Sequence, residues 1–230
     1  MNYLALDAST EACSVALIYD NKIYSRYEFS PQSHSLLLLP MVDSVLTEAN
    51  CKLQQLDGLI FGQGPGSFTG VRIGVGVAQG LAFSANLKVV GVSTLQAMAQ
   101  RAYALHQQTK VIAAIDARMS EIYTGLYQLD ATNIMQPVQA EVVIPPAAAV
   151  KHYHNVKDAC GVGTGWDAYS EHLSSLKTNL GSPEILFPHA ENMLTIGQAK
   201  FTNGLGVSAE LAQPVYVRDT VSWKKLPGRE

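Results

Sequence analysis

The chain has 230 residues, enough for one large domain or for two smaller domains with cores of their own. Hydrophobic residues make up 47% of it, charged residues only 15%, and the formal net charge is −3, with no basic run longer than Lys224-Lys225. This composition excludes a protein that grips RNA or DNA by itself through a basic surface, and the low charge indicates surface that is buried or covered by a partner.

The three cysteines, Cys13, Cys51 and Cys160, are far apart and outside any C-x-x-C arrangement. They are typical of reduced thiols that pack as small hydrophobic groups, and not of a disulfide framework or a zinc site. The chain begins directly with a strand pattern and shows no signal-peptide cleavage region and no apolar run of membrane-spanning length. We therefore expect a soluble, cytoplasmic protein that has no membrane contact.

The first part of the chain alternates strands and helices in a regular order. Asp20-Asn21 separates two β-rich runs and predicts a hairpin turn, and Ser93-Thr94 predicts the start of a helix after a strand. The predicted elements are strands over 3–7, 13–19, 22–29, 59–61 and 88–92, and helices over 33–50, 69–84 and 94–106. This order, β-β-β-α-β-α-β-α, predicts a mixed α/β domain.

The predicted helix 33–50 carries more apolar surface than one core requires. Its four consecutive leucines, Leu36 to Leu39, place apolar groups all the way round its first turns, whereas a helix that covers one sheet needs only a stripe. Pro40 lies inside the pattern and predicts a kink or a restart.

The stretch from Gly62 to Gly80, GQGPGSFTGVRIGVGVAQG, predicts a glycine-rich turn followed by the helix 69–84. Each glycine inside a helix costs about 1 kcal/mol relative to alanine, so we expect the missing side chains to be used. A row of small residues recurs at every fourth position beside a row of apolar residues. The small row is Gly70, Gly74, Ala78 and Ala82, and the apolar row is Ile73, Val77 and Leu81.

Three interpretations of this helix are open: its small row packs on the chain's own sheet, its turn binds phosphate, or it docks a second protein. The motifs that would support phosphate binding are missing, because no Lys-Ser/Thr follows the glycines and the spacing is not G-x-G-x-x-G. Ser67 does not lie in a G-x-S-x-G elbow either. Together with the over-apolar helix 33–50, the small row favours a docking surface.

The second part of the chain repeats the first. It also contains a predicted helix over 166–173, and it ends in an extended segment over 214–218 and a tail over 224–230 that we expect to be frayed. At an offset of 109 positions, Leu6-Asp7-Ala8 matches Ile115-Asp116-Ala117, and Leu17 matches Leu126. The repeat predicts an α/β, two-domain actin-like (ASKHA, ribonuclease H-like) fold with duplicated β-β-β-α-β-α halves. We predict an N-terminal domain over 1–106 and a smaller, degenerate C-terminal domain over 107–230, whose last segment can pack back on the first domain.

In that fold a nucleotide lies between the halves, and two Asp-containing hairpins hold its phosphates. The corresponding candidates for binding a nucleotide are Asp7, Ser9, Asp116, Gly161 and Gly163. We favour the simpler interpretation, in which each Asp accepts turn amides at a strand end, because no glycine-rich second strand follows. No two histidines are spaced i, i+4, so we predict neither a metal site nor a catalytic centre.

The segment Gly64 to Gly74, GPGSFTGVRIG, closely resembles the G-P-G-S-F-T-G-[LV]-R-I-G signature of the TsaB (YeaZ) family, bacterial proteins of tRNA threonylcarbamoyladenosine biosynthesis. Leu6 to Thr10, Ser93 to Leu95, and Pro214 to Arg218 followed by Trp223 to Lys225 are also similar to that family. The resemblance runs from the first strand to the last segment. It implies the actin-like fold with a decayed active site.

The resemblance also implies the partners. Family members are non-catalytic and pair with their metal-bearing paralogue TsaD, which transfers threonylcarbamoyl to adenosine 37 of tRNAs that read codons beginning with A. ATP and a metal ion are used by partner subunits, which include a TsaE-type ATPase, and tRNA is reached only through the complex. TsaD binds its metal through an H-x-x-x-H helix; the matching helix here, Thr94 to Ala99, has no histidine.

Pairing through the first two helices is implied as well, with a homodimer on the same surface when TsaD is absent. We predict an interface made of Leu36, Leu37, Val42, Leu46, Gly70, Ile73, Gly74, Val77 and Ala78. A large charged residue at Gly74 is then expected to abolish pairing while the monomer stays folded. The rival hypotheses are a free-standing actin-like ATPase, kinase or glycoprotease-type peptidase, and a plain homodimeric binding protein.

Overall fold

The computed structural model describes residues 1–31, 33–176, 179–180 and 185–218, the side chains of 179–180 excepted. The first half consists of β1 (Tyr3–Asp7), β2 (Ala12–Tyr19), β3 (Lys22–Phe29), α1 (His34–Glu48), β4 (Gly58–Gly62), α2 (Phe68–Ala85), β5 (Val89–Val92) and α3 (Thr94–His106). The second half consists of β6 (Lys110–Asp116), β7 (Ile122–Leu129), β8 (Met135–Pro137), β9 (Val142–Ile144), α4 (Pro146–His152), β10 (Cys160–Val162), α5 (Thr164–Ala168), α6 (Ser170–Leu173), β11 (Asn179–Leu180) and α7 (Ala190–Thr202).

Two sheets of the same topology form the framework. The first has the strand order β3-β2-β1-β4-β5 and the second β8-β7-β6-β10-β11, with β9 added beside β7. In each, the first two strands pair antiparallel and the central strand pairs parallel with the strand that follows a helix. This is the duplicated actin-like fold predicted from the sequence.

The two halves match up to Asp7 and Asp116, which end β1 and β6. Beyond the hairpins that follow these residues, the match shifts by one position. Asp7 and Asp116 each end the first strand of their sheet. Asp7 pairs with Ser14 across the first hairpin, whereas Asp116 pairs with Ile122, so the second hairpin is one residue shorter. The predicted equivalence of Leu17 and Leu126 is therefore wrong.

Helices cover both faces of each sheet. One face of the first sheet packs against α1 and α2 and the other against α7; one face of the second packs against α3 and the other against α4, α5 and α6. The sequence order of the helices therefore does not follow the sheets, because α3 comes from the first half and α7 from the second. The two halves therefore exchange helices across the predicted domain boundary at 106/107.

Three local predictions have clear outcomes. The Asp20-Asn21 turn forms, with φ of 49° and 61°, as a two-residue hairpin of the type I′ kind requires. The helix α1 runs through Pro40 without a break. The region 166–173, predicted as one helix, divides into α5 and α6 at Tyr169.

Candidate functional site

The glycine-rich turn packs directly on the turn that follows β1. The backbone N–H of Ser67 donates to the carbonyl oxygen of Ser9 at 2.7 Å. A Cβ placed on Gly66 would lie 2.0 Å from that same oxygen, and one placed on Gly70 would lie 2.1 Å from the carbonyl oxygen of Ala8. Since neither separation is possible for a real side chain, these two glycines exist so that two backbones of the same chain can touch.

The rest of the small row on α2 faces the same way. A Cβ on Gly74 would make ordinary contact with Ala8, at 3.7 Å, and Ala78 is fully buried in the first core. The small row thus packs on the chain's own β1 turn, which is the first of the three interpretations. Our placement of Gly70, Gly74 and Ala78 in a partner interface is corrected by this burial, and so is that of Val42, which is 3% exposed.

A second glycine row on α2 is open. A Cβ on Gly76 or Gly80 would meet nothing within 4 Å. On the same side of the helix, Ile73 and Val77 are only partly buried, as are Leu37 and Leu46 of α1. We use the term outer face for a set of exposed and half-buried positions on the adjoining helices α1 and α2, namely Leu36, Leu39, Ile73, Gly76, Val77 and Gly80. The sequence analysis did not separate the two glycine rows, because small residues lie on more than one side of this helix.

Asp7 is sealed inside the molecule. Its Oδ1 accepts bonds from the backbone N–H and the hydroxyl of Ser9, both at 3.0 Å, and it is only 1% exposed. Its Oδ2 has no hydrogen-bond partner, and a Cβ on Gly62 would lie 1.8 Å from that oxygen. Burial raises the pKa of Asp7 to about 6, although the bonds from Ser9 and the nearby His34 oppose the shift.

Ser9 is also occupied. Its hydroxyl lies 2.8 Å from the hydroxyl of Thr94, the first residue of α3. Next to it, His34 Nε2 donates to the carbonyl oxygen of Thr10 at 2.6 Å. The turn after β1 is thus fixed by α1, α2 and α3, and its polar groups are directed into the protein.

The equivalent carboxylate of the second half, Asp116, is engaged by its own domain. Tyr169 donates its hydroxyl to Asp116 Oδ1 at 3.0 Å, and Arg118 lies 3.2 Å from Oδ2. The same guanidinium reaches Glu11, at 3.2 Å, on the hairpin of the first half. An arginine therefore links the two hairpins that contain the predicted nucleotide-site candidates Asp7 and Asp116.

The two glycines predicted as nucleotide-binding candidates, Gly161 and Gly163, are packed closely against neighbouring groups. A Cβ on Gly161 would lie 2.6 Å from the Trp166 ring, and one on Gly163 would lie 2.2 Å from the carbonyl oxygen of Ala114. Gly163 also has φ of +104°, which glycine alone adopts readily. Both glycines are explained by packing within the second half.

These contacts do not fit a magnesium–nucleotide site. A metal-organising carboxylate needs an accessible oxygen, and Asp7 Oδ2 lies against the Gly62 backbone. Within the described ranges, no three His, Cys, Asp or Glu side chains are close enough together to hold a metal ion. No helix in the same ranges is both long and apolar enough to cross a bilayer.

The C-terminal segment Pro214–Arg218 joins the glycine turn to the second half. Val215 donates its backbone N–H to Gln63 at 2.7 Å, and Arg218 Nη2 lies 2.6 Å from Glu121 Oε2. The sequence predicted an extended segment here but gave no sign of this bridging role. Trp223 to Lys225, also matched to the family, and the frayed tail predicted over 224–230 lie outside the described residues.

Comparison with known proteins gives a consistent assignment. Residues 19–217 match the family model of TsaD, tRNA N6-adenosine threonylcarbamoyltransferase. The chain is 45% identical to the tRNA threonylcarbamoyladenosine biosynthesis protein TsaB of Escherichia coli over 100% of both chains, and 44% identical to that of Haemophilus influenzae over 100% of this chain and 99% of the other. The solved structure of YeaZ from Pseudomonas aeruginosa superposes with a TM-score of 0.84 at 44% identity, covering 94% of this chain and 99% of that one. The chain therefore belongs to the TsaB (YeaZ) family.

Proposed function

We propose that this chain is the non-catalytic scaffold or activator subunit of the complex that forms threonylcarbamoyladenosine at position 37 of tRNAs reading ANN codons. It pairs with the metal-bearing TsaD subunit and, in the assembled complex, with a TsaE-type ATPase. ATP and the metal ion belong to those partners, and the chain acts in the cytoplasm. The names of its relatives, which are proteins of threonylcarbamoyladenosine biosynthesis, support the pathway.

The burial of Asp7 supports the non-catalytic role and is the observation on which the proposal mainly depends. In a chain that worked on its own nucleotide, this carboxylate would need to face the cleft between the halves. Here it is 1% exposed and its unpartnered oxygen is packed on Gly62. The Arg118 link between the hairpins is consistent with this, because its guanidinium already binds Glu11 on one hairpin and Asp116 on the other.

The outer face supports pairing with another protein. Leu36 is 74% exposed and Leu39 50%, although both belong to a helix whose opposite side fills the core. Gly76 and Gly80 expose bare helix backbone on α2, the helix next to α1, where a second helix can approach closely. We expect TsaD to bind this face, and a second copy of the chain to bind it when TsaD is absent.

Co-purification with TsaD from the same genome tests the proposal. Gly76→Arg and Gly80→Arg place a large charge on open backbone without disturbing the core, so we expect each to lower the affinity for TsaD at least about tenfold. Ala147→Arg, at an exposed position of α4, is the matched control and leaves binding unchanged. Circular dichroism shows whether every variant is folded. Unchanged binding of both glycine variants would contradict the proposed face.

The rival enzyme hypothesis is tested on the pure chain. Isothermal titration calorimetry with ATP and magnesium is expected to show no binding heat attributable to a site at Asp7. Magnesium-dependent turnover of ATP that is lost in Asp7→Asn would overturn the non-catalytic assignment. Turnover of a peptide substrate by the pure chain would overturn it equally.

A further inference from the structure

The strand β3 (Lys22–Phe29) has eight residues and lies at the edge of the first sheet. Among the described residues, no strand pairs with this edge. Ile23 is 50% exposed, Tyr27 41% and Phe29 58%. Tyr27 stacks on His189 and Phe29 packs against Phe187 on one side of the strand, but these contacts do not cover its outer backbone groups. A long, partly apolar edge strand presents free N–H and C=O groups and is a site for pairing with another strand.

The hairpin geometry fixes which backbone groups face outward. In a two-residue I′ hairpin the residues that flank the turn, here Tyr19 and Lys22, form a hydrogen-bonded pair, and the pattern alternates from there. Lys22, Tyr24, Arg26 and Glu28 therefore bond to β2. The outward N–H and C=O groups belong to the alternate residues Ile23, Ser25, Tyr27 and Phe29.

We propose that this edge pairs antiparallel with β3 of a second copy of the chain, about a two-fold axis at Ser25. In that register Ser25 faces Ser25 and Ile23 faces Tyr27 of the second copy, so outward backbone groups meet outward groups. An apolar branched side chain then lies opposite an aromatic ring, a favourable cross-strand pair. The proposal does not rest on the proposed function.

The charges select this register. On the other face of the strand, Lys22 lies opposite Glu28 of the second copy and Tyr24 opposite Arg26, and the two-fold axis makes each pair twice. A shift that keeps the backbone groups matched places either Arg26 opposite Arg26 or Lys22 opposite Arg26 in the neighbouring registers. Like charges directly opposite each other destabilise a ladder, so both neighbours are disfavoured.

In this register the carbonyl oxygen of Ser25 has to accept a bond from the second copy in addition to the one it already accepts from Arg26. Arg26 Nη1 donates to the carbonyl oxygen of Ser25 at 2.8 Å, while the rest of the guanidinium binds Ser44 and Glu48 on α1. A carbonyl oxygen has two lone pairs, so Ser25 can accept a second bond from the incoming strand. Arg26 then lies beside the new pair and can stack on Tyr24 of the second copy.

Sedimentation velocity at about 100 µM tests the proposal, in a Gly76→Arg background that weakens association through the outer face. We expect this protein to dimerise. Ser25→Pro removes an outward N–H but no bond to β2, and we expect it to yield a monomer. Ser25→Ala, which keeps the N–H, is the matched control and dimerises. A monomeric Gly76→Arg protein would overturn the proposal.

A charge exchange tests the register itself, independently of whether Ser25→Pro folds. Lys22→Glu and Glu28→Lys each place like charges opposite each other twice, so we expect each alone to weaken dimerisation about tenfold. An equimolar mixture of the two variants restores opposite charges in the mixed dimer and is expected to associate like the parent. Equal association of the single variants and the parent, or no recovery in the mixture, would overturn the register.

Discussion

Asp7, which the sequence offered as a nucleotide-site candidate, lies in an environment that opposes its charge. Desolvation is the largest influence on it, and the raised pKa of about 6 means that the folded protein binds this proton more tightly than the unfolded chain, whose value is near 3.8. Stability from this group is therefore fully present below pH 4 and is lost as the pH rises through about 6. At neutral pH the ionised form costs about 3 kcal/mol.

Asp7→Asn is expected to remove this dependence. The variant should have a higher free energy of unfolding than the wild type at pH 8, by about 1–3 kcal/mol, because its amide carries no charge, although both N–H groups of the amide lack a partner. Urea unfolding at intervals between pH 4 and pH 8 measures the effect. The comparison at pH 4, where the wild-type group is neutral, is the internal control. Parallel profiles for the two proteins would show that Asp7 does not titrate in this range.

At the scale of one element, α2 has one glycine row that is buried against the chain's own backbone and one that is exposed. Gly70 touches the backbone of the turn after β1, and Gly76 and Gly80 face solvent. A buried glycine of this kind cannot be replaced without moving a backbone, whereas an exposed helical glycine only weakens its helix.

Alanine substitutions separate the two rows. Gly76→Ala and Gly80→Ala should each raise the free energy of unfolding by up to about 1 kcal/mol. Gly70→Ala should lower it by about 2 kcal/mol or more. Urea unfolding gives these values. If the open row serves close contact with TsaD, the two stabilised variants should bind TsaD more weakly. Stabilisation by Gly70→Ala would show that its packing has been misassigned.

The same distinction revises the test that the sequence suggested. A large charged residue at Gly74 would have to enter the contact with Ala8 and would be expected to unfold the chain, so loss of pairing would not be informative. Gly76 and Gly80 are the positions at which a charge reports on the outer face alone.

At the scale of the whole molecule, the halves are held together by elements that cross between them. The helices α3 and α7 each pack on the sheet of the other half, and the C-terminal segment ties the glycine turn to the β6–β7 hairpin. Arg218, which is 15% exposed, binds both Glu121 and the carbonyl oxygen of Ala117. This hairpin contains three consecutive residues with positive φ, Arg118 to Ser120, so it needs external support.

Arg218→Met should therefore loosen the connection between the halves. We expect a loss of about 2 kcal/mol in the free energy of unfolding, because Glu121 is left without its cation in a partly buried site. Glu48→Gln, which breaks the exposed pair with Arg26, is the control and should cost less than about 1 kcal/mol. Thermal unfolding and limited proteolysis at the C-terminal segment measure the difference. Equal effects of the two variants would mean that the segment does not stabilise the interface between the halves.

Much of the fold was predictable because its signals are local. The hairpin at Asp20-Asn21, the strand-end aspartates and the helix start at Ser93 each depend on a few neighbouring residues. The one-residue shift that separates Leu17 from Leu126 was not predictable. The length of the second hairpin depends on left-handed backbone at Arg118 to Ser120, and no glycine in the sequence indicates that conformation.

The sequence by itself determined the family, the two-sheet fold and the presence of a helix whose glycines must be used, since these follow from motif, periodicity and backbone preference. The tertiary structure decided which glycines touch the chain's own backbone and which remain open, and that the Asp7 carboxylate lies inside. Whether a side is covered depends on which distant segments pack against it, and a helix of period 3.6 with small residues on more than one side does not specify that by its spacing.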